Sequence, residues 1–289
     1  MELLKKIFFP LGWSIRYIQN HFKAMLFLLL LVLLFAPSSE ENLHPNNLQS
    51  IALSGPIFEV SEVLAQIEEA EKNDAIKGVL FIVDSPGGAV APSIEIAMAI
   101  KRLKEKKPVV VYASGTFASG GYYASIWADE IIANPGAMVG SIGVIMQGAN
   151  MSELMQKIGI STQTVQAGKY KQVGTADRAW TDEEIKELNK VIQGTYDMFT
   201  KDVADARGLD YAKRDFYANA HIFTAAQAKE VGLVDTIGVM YDAQKRVEEL
   251  SGVIDPIWNE EDPFEKFLKK IAAQTAVTLH TYFPQITLR

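Results

Sequence analysis

The 289-residue chain contains no cysteine and only four histidines. Without cysteine there is no disulfide, no cysteine-ligated zinc and no thiol nucleophile. With histidine confined to positions 21, 44, 221 and 280, the usual partner of a catalytic serine is scarce. A basic footprint is missing as well. Beyond residue 39, 24 basic side chains stand against 34 acidic ones, a formal charge of −10. That balance argues against nucleic-acid binding and against broad adhesion to anionic lipid. Neither GxGxxG nor GxxxxGK[ST] occurs, which disfavours a nucleotide fold. Internal repeats and low-complexity tracts are absent, and the histidines lack metal-ligand spacing. No cofactor is implied.

What is present begins with an apolar run, Ala24 to Ala36, preceded by Lys5, Lys6, Arg16 and Lys23. As a helix it reaches about 20 Å, short of a hydrocarbon core of roughly 30 Å. Flanking residues and a snorkelling Lys23 can extend it. A cleaved signal peptide is the rival, with a weak cleavage-like site at Ala36-Pro-Ser38. The long basic region before the run favours a retained transmembrane anchor. Either reading puts the remainder outside the cytoplasm by the positive-inside rule. The expected organisation is an N-terminus and anchor over 1–39, a polar linker over 40–47, a folded domain over 48–251 and a C-terminal arm over 252–289. In the arm, Phe264–Tyr282 reads as a weakly amphipathic helix.

Within the domain, strand and helix patterns alternate. Short strands are expected at Ile51–Leu53 and Ile57–Phe58, then a helix over Val60–Lys72 and a strand over Ile76–Val83. A helix over Ala91–Lys106 and a strand over Val109–Ala113 follow. Beyond them come a helix over 119–128 and strands over Glu130–Ala133 and Met138–Met146, the last interrupted by Gly140-Ser-Ile-Gly143. Residues 150–158, 182–206 and 241–250 read as helices, 161–167 as extended, and 216–228 as a turn into a short helix. Apolar strands separated by helices imply βαβ units and a mostly parallel α/β sheet.

Two glycine turns follow successive strands: Asp84 to Gly88 (DSPGG) and Thr116 to Tyr123 (TFASGGYY). A serine where a strand gives way to a helix projects its hydroxyl, and paired turns at one sheet edge can offer two N–H donors to an oxyanion. Ser119 is therefore a candidate nucleophile. It misses the G-x-S-x-G elbow, because Phe117 and Gly121 occupy the glycine positions. Only His221 lies within the candidate core, and its neighbours offer it no partner. A neutral lysine can act as base instead, if burial lowers its ordinary pKa of about 10.4. The segment Ala167 to Thr175 (AGKYKQVGT) offers Lys169 and Lys171, and residue chemistry alone does not choose between them.

Together these motifs, with Gly140 to Val144 (GSIGV) and Thr224 to Asp235 (TAAQAKEVGLVD), resemble the signal peptide peptidase A family, also called protease IV, in its short form. The resemblance covers roughly residues 48–250. It implies a ClpP/crotonase-like fold of repeated ββα units, Ser119 as nucleophile and Lys171 rather than Lys169 as base. Gly88 and Gly120 would supply the oxyanion N–H groups. It also implies hydrophobic peptide substrates, including remnant signal peptides, membrane attachment on the extracytoplasmic side, and a homo-oligomeric ring. In such a ring Lys171 can act within one subunit or across two. Ser141, Asp129 and Arg178 match positions read as structural, and Ser114 and Ser125 as local hydrogen-bonders. Asn219-Ala-His221 departs from the Gly-Arg-containing turn usual there. The rival readings are a crotonase-type acyl-CoA enzyme and an inactive membrane-tethered scaffold.

Overall fold

The computed structural model describes residues 19–28, 30–31 and 46–259. It divides into two units, one of residues 1–44 and 260–289 and the other Pro45–Asn259. In the first, residues 19–28 and 30–31 are helical. Among the described residues no helix is long and apolar enough to cross a membrane. Residues 29 and 32–36 of the expected anchor, and the whole helix expected over 264–282, lie outside the described residues.

The second unit is built on a sheet ordered β1 (Leu48–Ser54), β2 (Gly78–Ser85), β3 (Val109–Ala118), β4 (Glu130–Ala133) and β7 (Thr236–Ile237), every adjacent pair parallel. Helices α1 (Ser61–Lys72) and α2 (Val90–Lys104) link the first three strands. The central strands are buried on both faces, so their apolar runs are nearly continuous. Their residues still alternate by face. Val79, Phe81, Val83, Val109 and Val111 join the main core with Ile67, Ile96 and Ile100. Leu80, Val110, Tyr112 and Ile132 turn the other way, against Ala243 and Val247 of α8 (Met240–Ser251). Each fully buried aliphatic side chain contributes about 1.5–3 kcal/mol.

Strand β3 is longer than the expected Val109–Ala113, and its extension positions the site. Its first half pairs with β4, through Val110↔Glu130 to Ala113↔Ala133. Its second half leaves that partner and pairs with β5 (Met138–Gly140) through Thr116↔Met138 to Ala118↔Gly140. The β2–β3 register shifts between Val83 and Ser85 at the same level. Strand β5 in turn pairs antiparallel with β6 (Ile222–Thr224).

Several expected elements are shorter. The helix over 119–128 is a four-residue helix, α3 (Gly120–Tyr123), followed by turns. The strand over 138–146 stops at Gly140, where Gly140 at φ +114° and Ser141 at φ +51° break the extended path. Residues 141–150 continue as irregular chain to α4 (Ser152–Lys157), and 161–166 carry no regular structure. Ile57 and Gly88 form an isolated bridge in place of a strand over 57–58. Residues 252–259, expected within the arm, reach back to the sheet: Leu48 N–H donates to Ile257 O at 3.1 Å and Asn259 N–H to Leu48 O at 3.2 Å. The long helix α5 (Asp182–Arg207) opens with a capping box between Thr181 and Glu184 and ends at Gly208, whose φ of +64° suits its left-handed cap. Short helices α6 (Arg214–Tyr217) and α7 (Ala225–Glu230) complete the unit.

Candidate active site

Ser119 is the hinge between β3 and α3. Its backbone sits at φ +51°, ψ −122°, a region that an L-residue enters only with strain of about 1–3 kcal/mol. The conformation is pinned on both sides: Ser119 N–H donates to Gly140 O at 2.8 Å, and Tyr123 N–H donates to Ser119 O at 2.9 Å. Such a bend turns the chain sharply and aims the side chain out of the strand's end.

The first glycine turn closes over it. Gly87 has φ +94°, and a Cβ there would fall 2.8 Å from Ser119 Cβ and 3.1 Å from its Oγ. A Cβ on Gly120 would lie 2.4 Å from Ser93 Oγ and 3.2 Å from Gly88 N. The backbones of both turns therefore converge on the Ser119 hydroxyl. Among the described residues neither Gly88 N–H nor Gly120 N–H is donated to any acceptor, whereas the neighbouring Ala89 N–H is engaged with Ile57 O at 2.8 Å. Two unengaged N–H groups beside a hydroxyl are what an oxyanion requires. Buried Ser85 holds the turn, donating to Gly55 O at 2.7 Å and accepting from Gly87 N–H at 3.1 Å.

A cavity of about 90 Å³ opens beside these groups. Ser93 and Ile94 of α2 form one wall, Val144 and Ile145 another, and Met198 and Phe199 of α5 a third. Ser93 donates to Ala89 O at 2.9 Å. The α5 wall leaves no mark in the sequence, because nothing in a surface helix shows that it leans over a site much earlier in the chain. Sequence reasoning misses Ser93 too, as one small residue on an amphipathic helix.

The structure brings Ser119, Gly88 and Gly120 together around one cavity, and Lys171 is not among the residues that line it. Lys171 is exposed in the turns over 169–174 and has no side-chain partner among the described residues. Lys169, the alternative, is tied down: its Nζ lies 2.8 Å from Glu183 Oε2, and that hydrogen bond holds its pKa above the ordinary lysine value. A lysine stabilised as its cation makes a poor base, so of the two only Lys171 has an uncommitted amine. His221 is exposed, packs its ring near Phe223 and accepts the Ser141 N–H on its backbone carbonyl at 2.7 Å. It is not among the residues around Ser119.

The remaining serines and charges do local work. Ser114 donates to Val83 O at 3.2 Å and Ser125 to Gly121 O at 3.0 Å. Asp129 accepts Val109 N–H at 2.8 Å, at the start of β3. Arg178 forms two hydrogen bonds with Glu184, at 2.8 and 2.7 Å, and together with Thr181 N–H they hold the Glu184 carboxyl down to about 2. Asn219 and Ala220 both have φ +57°, a conformation to which glycine is better suited. Among the described residues no three His, Asp or Glu side chains converge to hold a metal.

Residues 101–254 match peptidase family S49. The chain belongs to this family, the signal peptide peptidase A serine peptidases that its motifs resemble. A protein of Methanocaldococcus jannaschii is 44% identical over 190 residues, covering 66% of this chain and 61% of that protein. The chloroplastic serine protease SPPA of Arabidopsis thaliana is 30% identical over 189 residues, covering 65% of this chain and 28% of the protease. The chain thus spans three-fifths of the first relative and under a third of the second. Among solved structures, a mutant of ClpP1 from Listeria monocytogenes superposes with a TM-score of 0.47 at 18% identity, over 67% of this chain and 93% of that one.

Proposed function

We propose that this S49 member is a membrane-anchored serine endopeptidase that cleaves extended hydrophobic peptides, remnant signal peptides among them, on the extracytoplasmic side. The observation that carries the reading is the strained Ser119 hinge with the unengaged N–H groups of Gly88 and Gly120 beside it. Ser119 Oγ attacks the scissile carbonyl carbon while neutral Lys171 Nζ accepts the hydroxyl proton. The two N–H groups meet the charge on the carbonyl oxygen. Collapse breaks the C–N bond, and Lys171 gives its proton to the departing amine. Water then attacks the acyl ester, loses a proton to Lys171, and Ser119 Oγ regains one as it leaves.

The base comes from a neighbouring copy in a homo-oligomeric ring. Two features support this. Lys171 is unpartnered among the described residues and is not among those lining the cavity around Ser119. The chain before Lys171, over 145–165, exposes large apolar side chains, Ile145, Ile158, Ile160 and Val165, whose covering by a neighbour would exclude water. Burial of that kind favours the neutral amine that a base needs. The cavity walls are apolar, which suits a hydrophobic residue on the acyl side of the cut.

The test uses the full-length chain in detergent, a fluorophosphonate label and a quenched hydrophobic peptide. Wild type is expected to label and to cleave; Ser119→Ala should do neither, and Lys171→Ala should lose cleavage. Wild-type turnover by Ser119→Ala would overturn the nucleophile. Absence of labelling and turnover in the wild type would favour a scaffold, and specific binding of a CoA thioester indifferent to Ser119 an acyl-CoA enzyme.

A further inference from the structure

Among the described residues, helix α5 is held to the helix that follows Ser119 by one polar contact. The Tyr123 hydroxyl donates to Asp202 Oδ2, and the Tyr123 ring meets Phe199 edge-on, 4.7 Å between centroids and 67° between planes. Tyr123 lies one turn after Ser119, and its N–H donates to Ser119 O. Asp202 lies one turn beyond Met198, and the Tyr123 that it holds lines the cavity beside Phe199. The tyrosine is almost fully buried, and both burial and the Asp202 hydrogen bond push its pKa well up, so the phenol remains a donor.

The rest of α5 is weakly attached on this side. Of its 26 residues, only Glu184 near its start and Phe199, Thr200, Val203 and Ala204 near its end are buried. At its N-terminal end it holds the loop of Lys171, through Lys169–Glu183 and Arg178–Glu184. From Glu183 to Asp202 the helix axis runs roughly 28 Å. Between Thr195 and Met198 the Tyr196 hydroxyl accepts Asn219 N–H at 3.0 Å, on another side of the helix. Toward the helix of Ser119, the segment is oriented by the core packing of Phe199 and Val203 together with the Tyr123–Asp202 bond.

We propose that Asp202 is a positioning residue that sets the width of the acyl-side pocket: by accepting the Tyr123 hydroxyl, it locks the Met198–Phe199 wall to the helix that begins at Ser119. This rests on the reading of Ser119 as nucleophile. Losing the contact lets α5 tilt away, so the pocket loosens while Ser119 and its N–H donors stay in place.

The experiment compares peptides differing only in alanine, leucine or phenylalanine before the cut, using wild type, Asp202→Ala, Asp202→Asn and Tyr123→Phe. Asp202→Ala is expected to raise KM for the leucine peptide roughly tenfold, through lost pre-organisation of the pocket wall. It should also shift the phenylalanine-to-alanine ratio of kcat/KM about fivefold toward the larger residue. Asp202→Asn still offers an acceptor oxygen and should restore most of both. Tyr123→Phe keeps the ring and removes the hydroxyl, so it should reproduce Asp202→Ala, and the double variant should be no worse than either. Fluorophosphonate labelling reports separately on Ser119. Should Asp202→Ala fail to fold, Tyr123→Phe carries the test alone. Wild-type KM and wild-type selectivity in folded, labelled Tyr123→Phe would overturn the inference and leave the nucleophile standing; labelling of Ser119→Ala would instead overturn the reading beneath it.

Discussion

The amide nitrogen of Gly120 lies 2.5 Å from the point that a Cβ on Gly87 would occupy. The two glycine turns are therefore in backbone contact, with no room for any side chain on the first. Gly87→Ala adds both that clash and a φ of +94° that alanine resists. The Gly120 N–H must then move, and removal of one oxyanion donor typically costs about 10²–10³-fold in rate. Gly87→Ala is expected to lose about that much kcat while still binding peptide, measured by steady-state kinetics beside far-UV circular dichroism.

Intersubunit sharing of the base makes a sharper prediction. Ser119→Ala and Lys171→Ala chains, each inactive alone, should regain activity when mixed and reassembled, because some sites then combine an intact serine with an intact lysine. Randomly mixed equal amounts should recover roughly a quarter of wild-type turnover, as an order-of-magnitude expectation for independent two-copy sites. No recovery, despite proven subunit exchange, would place both groups in one chain.

Acid stability should report on Glu184. Its folded pKa of about 2 lies below the ordinary carboxylate value, so the Arg178 and Thr181 contacts stabilise the fold above about pH 4.5. That contribution is lost as pH falls from there through about 2. Glu184→Gln should therefore be less stable than wild type near neutral pH, and its stability should fall less steeply as the solution is acidified through that window. Urea titrations at stepped pH measure this.

Ala220 should be improvable. At φ +57° a Cβ costs about 1 kcal/mol that glycine avoids. Ala220→Gly is expected to raise stability by somewhat less, because glycine also gains freedom in the unfolded chain. A rise in the urea midpoint with unchanged slope would show it.

The sheet edge offers a converse case. The Asn259 amide imitates a strand: Ser50 N–H donates to its Oδ1 at 2.6 Å and its Nδ2 donates to Ser50 O at 3.1 Å. Asn259→Ala removes both partners and should cost about 1–3 kcal/mol in urea unfolding.

The parts of this fold legible from sequence are those in which one residue pattern has one physical meaning. The run Ile76–Val83 is apolar throughout because a central parallel strand is buried on both faces, and the observed strand covers most of it. Thr181 and Glu184 announce the start of α5, and Gly208 its end. The two glycine turns are legible as a pair because each follows a strand, and they do converge on Ser119. Strands β6 and β7 are not legible, since three and two residues are too few to show a period. The division of β3 between two partners is hidden as well: which neighbour a strand chooses depends on the sheet, not on its own side chains. Nor does spacing along the chain reveal that Lys171 is not among the residues lining the cavity at Ser119.

Sharing of the base, as proposed, has a consequence for a freshly made copy. On the proposed sharing of the base, a solitary chain would carry a shaped anion site and a hydroxyl with nothing to take its proton. Dilution alone would keep it idle, and turnover at low abundance would climb more steeply than the amount of protein present. Local crowding of copies would then act as the trigger.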